Sequence, residues 1–87
     1  MKVWTVKVLN DIQNNYQGID DIEVYVFDTR SKAIAALINR SLRAIEFMME
    51  AYHNTMEDLE IEERNGFFHV NDQNNYITIK IEEKEVL

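Results

Sequence analysis

Closely spaced carboxylates are the first residues of this chain that invite a chemical interpretation. The stretch "EDLEIEERNGFFHV" places Glu57, Asp58, Glu60, Glu62 and Glu63 just before an Asn-Gly turn. Paired carboxylates can act in acid–base catalysis or bind calcium. Strand alternation, however, sends Glu60 and Glu62 to one side and Glu63 to the other, and no glycine-bearing calcium loop is present. Two interpretations remain, a solvated strand face and a recognition surface.

The two histidines have structural explanations. His69 lies across the predicted hairpin from Glu62 and can form a cross-strand ion pair. His53 lies at the C-terminal end of the predicted helix, where a cation is favoured. Neither has a serine, cysteine or second histidine at the spacing of a nucleophile or zinc site, and two isolated glycines cannot form a phosphate-binding loop. We therefore predict a protein without enzymatic activity, cofactor or metal.

Hydrophobic periodicity predicts the elements that position these side chains. The segments "VWTVKVL" (3–9) and "IEVYVF" (22–27) alternate as strands. In the first, Trp4, Val6 and Val8 share one face. In the second, the two faces are Ile22, Val24 and Val26 on one side, and Glu23, Tyr25 and Phe27 on the other.

Within residues 28–54 the period changes from two to 3.6 residues, which predicts one amphipathic helix of about six turns that ends at or just after Asn54. Asp28, Thr29 or Ser31 can cap its start. Its buried stripe is predicted to comprise Ile34, Leu37, Ile38, Ser41, Ile45, Met48, Met49 and Tyr52. The basic residues along the helix are interpreted as its solvated side: Arg30, Lys32, Arg40 and Arg43.

Asn65-Gly66 is a strong hairpin signal between "LEIEER" and "FFHV", and a two-residue loop predicts Arg64 opposite Phe67 and Glu62 opposite His69. "YITIKIEE" forms the last strand, with alternate isoleucines on one face. We predict a single α+β domain over residues 1–87, with a four-stranded sheet in β-β-α-β-β order and one long amphipathic helix packed on one face.

Aromatic side chains are predicted on the sheet face that the helix leaves uncovered: Tyr25, Phe27, Phe67 and Tyr76. Such a face can stack nucleic-acid bases, but no basic frame accompanies it. A face this aromatic favours self-association or a protein partner, and we expect a homodimer, formed through these aromatics or through the helix.

Negative charge is concentrated in the last third of the chain. The net charge is −7, and nine of the sixteen acidic residues but only three of the nine basic ones lie from Glu57 onwards. Phosphates would be repelled, so no direct nucleic-acid binding is expected. If the last strand lies beside the hairpin, one acidic patch forms from Glu57, Asp58, Glu60, Glu62, Glu82, Glu83 and Glu85. Such a patch suits a basic protein partner, although solubility alone also explains the charge.

The absence of cysteine favours a reducing compartment. The sequence has no apolar stretch of signal-peptide or membrane-spanning length, so we expect a cytoplasmic protein that does not enter a membrane.

The chain opens "MKVWTVKV", continues "VYVFDTRSKAIAALI", and lacks proline and cysteine. In composition and layout it resembles the small acidic accessory proteins of bacteriophages and other mobile elements, including anti-CRISPR and other host-inhibitor proteins. The resemblance implies an inhibitor that mimics nucleic acid and binds a basic, nucleic-acid-handling host protein in the host cytoplasm. The alternative is a structural or assembly subunit of a mobile element that self-associates through the aromatic face.

Overall fold

The computed structural model describes residues 1–12, 21–51, 54–72 and 75–86. Its elements, in chain order, are β1 (Lys2–Ile12), β2 (Asp21–Phe27), α1 (Arg30–Ala51), a single 3-10 turn (Met56–Asp58), β3 (Glu60–Arg64), β4 (Phe67–Asn71) and β5 (Asn75–Glu85). The chain therefore has the predicted α+β architecture, with one helix and one antiparallel sheet.

The sheet has five strands in the order β2-β1-β5-β4-β3, and every neighbouring pair is antiparallel. The predicted count of four strands and the β-β-α-β-β order are wrong, because the three segments that the sequence places after the helix form three separate strands, and the chain reverses twice between them. The first reversal is the Asn65-Gly66 turn. The second is fixed by the Asp72 carboxylate, which accepts a hydrogen bond from the Asn75 backbone at 2.7 Å. Three strands, rather than two, therefore follow α1.

The hairpin register predicted from the Asn-Gly turn is confirmed. Arg64 pairs with Phe67, and Glu62 pairs with His69. Gly66 has a φ of 76°, the left-handed conformation that a two-residue hairpin loop requires and that glycine adopts without steric penalty. Local turn chemistry thus determines this pairing.

Side chains cap both ends of the helix. The Thr29 hydroxyl accepts a hydrogen bond from the Lys32 backbone N–H at 3.2 Å, so Thr29 is the N-cap among the three candidates. Lys32 also pairs with Asp28 at 2.9 Å, and its hydrogen bond and positive charge lower the pKa of that carboxyl. Beyond Ala51, the Asn54 side-chain amide donates to the Met48 carbonyl at 3.2 Å.

The stripe through which the helix contacts the sheet matches the predicted one in part: Leu37, Ser41 and Met48 are buried as predicted. Its buried residues are Ala33, Leu37, Ser41, Ala44 and Met48. Ile38 and Met49, predicted to be buried, are 54% and 36% exposed. Tyr52, the last residue of the predicted stripe, lies outside the described residues. Small residues in the contact stripe let the helix backbone approach the sheet closely, and this rotates the larger aliphatic residues away from it.

The core lies between α1 and one sheet face. Val6, Val8, Phe68, Val70, Ile77 and Ile79 are buried there, together with Leu59 and the helix residues. Trp4 and Ile81 pack at its margin. The predicted inward faces of β1 and β5 are therefore confirmed, and the opposite sheet face has no covering element among the described residues.

Candidate binding surfaces

The sheet face opposite α1 is the largest uncovered surface, and we call it the open face. Strand alternation and the pairing register place on it Val3, Lys7 and Leu9 of β1, Val24 and Val26 of β2, Tyr76, Thr78, Lys80 and Glu82 of β5, Phe67 and His69 of β4, and Glu60, Glu62 and Arg64 of β3. It is a mixed surface of apolar, basic and acidic side chains.

The predicted group of four aromatic residues is divided between the two faces. Tyr25 pairs with Val6 and Phe27 with Trp4, so both rings lie on the face that α1 covers and pack against the core. The prediction that they lie on the uncovered face is wrong, because the register with β1 turns β2 the other way. Phe67 and Tyr76 remain on the open face as predicted.

The open-face aromatics already have neighbours. The Arg64 guanidinium lies 4.4 Å from the centroid of the Phe67 ring, a cation–π distance. The ring of His69 lies 5.6 Å from that of Tyr76, and its Nδ1 is 2.7 Å from the Thr78 hydroxyl. The predicted ion pair between His69 and Glu62 does not form, because Glu62 pairs with Arg64 at 3.2 Å.

The seven acidic residues predicted to form one patch lie in two groups. Glu57 and Asp58 are on the 3-10 turn, and Glu60 and Glu62 are on β3. The register sets Glu60 level with Tyr76 near the start of β5, whereas Glu82 lies six residues further along that strand, about 20 Å away. Although β5 does lie beside the hairpin, Glu82, Glu83 and Glu85 extend past its turn. The structure therefore does not bring the seven carboxylates together.

Ion pairing also separates the two groups. Glu82 pairs with Lys80 at 3.3 Å and Lys84 at 4.0 Å, and Glu83 pairs with Lys2 at 3.3 Å. Glu85 lies 3.3 Å from the amino group of Met1. These exposed pairs add little stability but reduce the local negative potential.

On the β3 side, among the described residues, Glu57, Glu60 and Glu63 have no basic side chain within ion-pair distance. Glu63 was not assigned to the patch from sequence. Asp58 instead accepts a hydrogen bond from the Thr55 backbone at 2.7 Å and so closes the 3-10 turn.

The two edge strands of the sheet differ in character. β3 is five residues long, each of its residues is exposed and three of them are glutamates; short, charged strands of this kind prevent edge pairing in natural sheets. β2 is seven residues long, and Val24 and Val26 are 54% and 64% exposed beside its outer edge. The structure describes no element paired with that edge. From sequence, the two valines were expected on the sheet face that the helix covers. The register with β1 places them on the open face instead.

A cleft of about 280 Å³ opens between α1 and the sheet on the β2 side. Its floor is formed by Val8, Ile77 and Ile79, and Arg40, Arg43 and Glu23 line its walls. From sequence, these arginines were interpreted as part of the solvated side of the helix. Their i, i+3 spacing was the available signal that they lie on one helix face.

Tyr25 connects the polar side chains beside this cleft. Its hydroxyl donates to the Glu23 carboxylate at 2.7 Å, and the Arg40 guanidinium lies 4.5 Å from its ring centroid. The hydrogen bond to Glu23, followed by partial desolvation, raises the pKa of Tyr25, and the charges of Arg40 and Arg43 oppose that change. The tyrosine thus stays protonated and holds Glu23 in place.

Two further findings bear on the kinds of site present. Within the described ranges, no group of three or more histidine, aspartate or glutamate side chains is arranged to hold a metal ion. Among the same described residues, the one α-helix, α1, is not both long enough and apolar enough to cross a bilayer.

No protein-family model, curated protein or solved structure matches this chain.

Proposed function

We propose that this chain is a non-enzymatic binding protein that assembles with a second copy of itself along β2, as a structural or assembly subunit. The observation that carries the proposal is the apolar, unpaired edge of β2, which contrasts with the short acidic edge of β3. Pairing of two β2 strands would continue the antiparallel sheet across both copies.

Both backbone and side-chain groups of β2 would stabilise this assembly. An unpaired strand edge offers N–H and C=O groups that a partner strand can bond, each bond contributing about 1 kcal/mol net. Val24 and Val26 are more than half exposed, and covering them in each copy adds about 1 kcal/mol per side chain. Each copy contributes the same hydrogen bonds and the same two valines, because the interface is symmetric.

Charge placement allows this symmetric arrangement. A twofold axis at Tyr25 would set Val24 of each copy opposite Val26 of the other on the open face, and Glu23 opposite Phe27. An axis at Val24 would instead set Glu23 opposite Tyr25. Neither register places two Glu23 carboxylates directly opposite each other, so the cross-strand repulsion of like charges is avoided. An equivalent contact through β3 would bring Glu60, Glu62 and Glu63 of both copies together.

The test is the molar mass of the chain measured by light scattering and sedimentation across a range of protein concentrations. We expect a dimer for the native chain and a monomer for the Val24→Lys/Val26→Lys variant, which adds positive charges at the symmetric contact. Val24→Thr/Val26→Thr should weaken the dimer by about tenfold while keeping β-branched side chains. Glu60→Lys/Glu62→Lys, which places two lysines on the other edge, should leave the dimer intact.

A native chain that stays monomeric at millimolar concentration would refute the proposal. So would lysine variants at positions 24 and 26 that are folded by circular dichroism and assemble as the native chain does. A dimer lost only in the β3 variant would move the interface to the acidic edge.

A second candidate function is the binding of a basic protein, as in a phage-type inhibitor of a nucleic-acid-handling host protein. It is favoured by the β3-side carboxylates Glu57, Glu60 and Glu63, which have no basic partner among the described residues. A tagged chain would be used to capture partners from nuclease-treated bacterial lysate. Binding that is released by salt and lost in Glu57→Lys/Glu60→Lys/Glu63→Lys would support this candidate. Binding unaffected by charge reversal would exclude it.

A further inference from the structure

We infer that the cleft between α1 and the β2 side of the sheet binds a small monocarboxylate with an apolar body. We call this site the arginine cleft; its residues are Val8, Glu23, Arg40, Arg43, Ile77 and Ile79. The assembly contact and the cleft share strand β2 but use opposite faces of it, because Val24 and Val26 lie on the open face and Glu23 lies on the side that α1 covers, so each can be tested by its own variants.

The floor of the arginine cleft accepts apolar groups. Val8, Ile77 and Ile79 are buried side chains of the sheet, and Ala44 on the helix keeps the space between the two layers open. A volume of about 280 Å³ is enough for a benzene-sized group with a short chain. An apolar ligand body would cover core side chains that now border the cleft.

The walls supply positive charge. Arg40 and Arg43 lie one helical turn apart on the same side of α1, and neither has a carboxylate within ion-pair distance among the described residues. Among the same residues, Lys7 and Arg30 also lack such a partner, whereas Lys2, Lys32, Arg64, Lys80 and Lys84 each have one. What distinguishes Arg40 and Arg43 is that both line the same cleft, so that two guanidiniums with no carboxylate partner among the described residues form a local site for an anion on a chain of net charge −7.

The geometry also favours a carboxylate as the anionic group. Arg40 is half-buried and its guanidinium is stacked on Tyr25 at 4.5 Å, so its orientation is restrained before any ligand binds. Guanidinium groups recognise planar carboxylates through paired hydrogen bonds. Glu23 contributes one negative charge to the same cleft, which leaves a net charge of +1 from these three side chains. A ligand with a single negative charge therefore complements the site better than a dianionic phosphate ester.

The experiment is a nuclear magnetic resonance titration of the full chain with 4-phenylbutyrate, following backbone amide shifts. We expect saturable shifts at Val8, Ala44 and Ile79 with a millimolar dissociation constant, the range typical of a ligand this small. Arg43→Gln should weaken binding at least fivefold, because one charge-assisted contact is lost. The matched control is Arg30→Gln, which removes an arginine at the other end of α1 that bonds Asn65, and it should change affinity by less than twofold.

Three ligand comparisons separate the contributions of charge and apolar surface. Acetate, which has the head group alone, should bind at least tenfold more weakly than 4-phenylbutyrate. The corresponding amine should not bind. Phenyl phosphate should bind more weakly than the carboxylate, and tighter binding would overturn the assignment to monocarboxylates.

Equal affinities for Arg43→Gln and Arg30→Gln would overturn the inference, as would binding of the amine at the affinity of the carboxylate. An absence of shifts at the cleft residues at about 10 mM ligand would also overturn it. Because the molar mass of each variant can be measured in parallel, a failed titration and a failed assembly test are distinguishable.

Discussion

Two neighbouring methionines provide a direct test of how α1 is oriented on the sheet. Met48 is completely buried, whereas Met49 is 36% exposed, although both were expected from sequence to face the core. Truncating a fully buried methionine to alanine costs about 2–5 kcal/mol, because buried area is lost and a cavity remains. At Met49, part of the side chain is already in water and its neighbours can relax, so the cost should be about 1 kcal/mol. The two substitutions change helix propensity equally.

We therefore expect Met48→Ala to be less stable than Met49→Ala by at least about 1.5 kcal/mol. For a domain of this size, 1 kcal/mol shifts the melting temperature by about 4–8 °C, so the two variants should melt at least about 6 °C apart. The assay is urea unfolding followed by circular dichroism, with thermal unfolding as an independent check. Equal losses at the two positions, or a larger loss at Met49, would show that the helix stripe has been assigned wrongly.

Three further predictions concern single side chains. Gly66→Ala should destabilise the chain by about 1–2 kcal/mol in urea unfolding, because φ at this position is 76°, a left-handed conformation that costs a residue with a Cβ. The added Cβ would meet Ile81 at an ordinary contact distance of 3.8 Å, so no steric clash contributes. Gly66→Asn should lose less stability. Glu23→Gln should lower the pKa of Tyr25 in an ultraviolet titration, since it removes the carboxylate that accepts the tyrosine's hydrogen bond. Because the folded-state pKa of Tyr25 is raised, the contribution of this hydrogen bond to stability is present at neutral pH and is lost as pH rises through that pKa. Lys32→Gln should raise the pKa of Asp28 in a carbon NMR titration, since it removes the lysine that lowers this pKa. Because the folded-state pKa of Asp28 is lowered, the contribution of its pairing with Lys32 to stability is lost as pH falls through that pKa. An unchanged pKa in either variant would contradict the corresponding contact.

Sequence patterns predicted the elements that depend on local chemistry. The Asn65-Gly66 turn determines the β3–β4 register, and Thr29 caps the helix next to the start predicted from periodicity. Those signals act within a few residues, so no tertiary information is needed to interpret them.

The orientation of β2 could not be predicted in the same way. Both of its faces carry apolar side chains, and a shift of one residue exchanges the face that meets the core. The pairing of Tyr25 with Val6 settles the choice in favour of the aromatic side. For the same reason, neither the exposure of the two valines nor the polar wall of the arginine cleft can be predicted until the register between β1 and β2 is known.

The acidic patch failed as a single surface for a geometric reason. Two strands can be neighbours without all of their residues being close together, because β5 is longer than β4 and extends beyond it. Its acidic end, with Glu82 and Glu83, pairs with β1 instead, where Lys2 and neighbouring lysines neutralise it.

The central position of β1 and β5 has a consequence for the folding rate. Eleven residue pairs join these strands, from Lys2 with Glu85 to Ile12 with Asn75, and the partners are separated by most of the chain. Closing such long loops is entropically expensive, and domains dominated by distant pairings fold in milliseconds to seconds. On a ribosome, β1 and β2 would emerge early, but β1 would lack its other neighbour until β5 had been made. The sheet can therefore be completed only after β5 has been synthesised, and until then the inner edge of β1 would stay open to other strands.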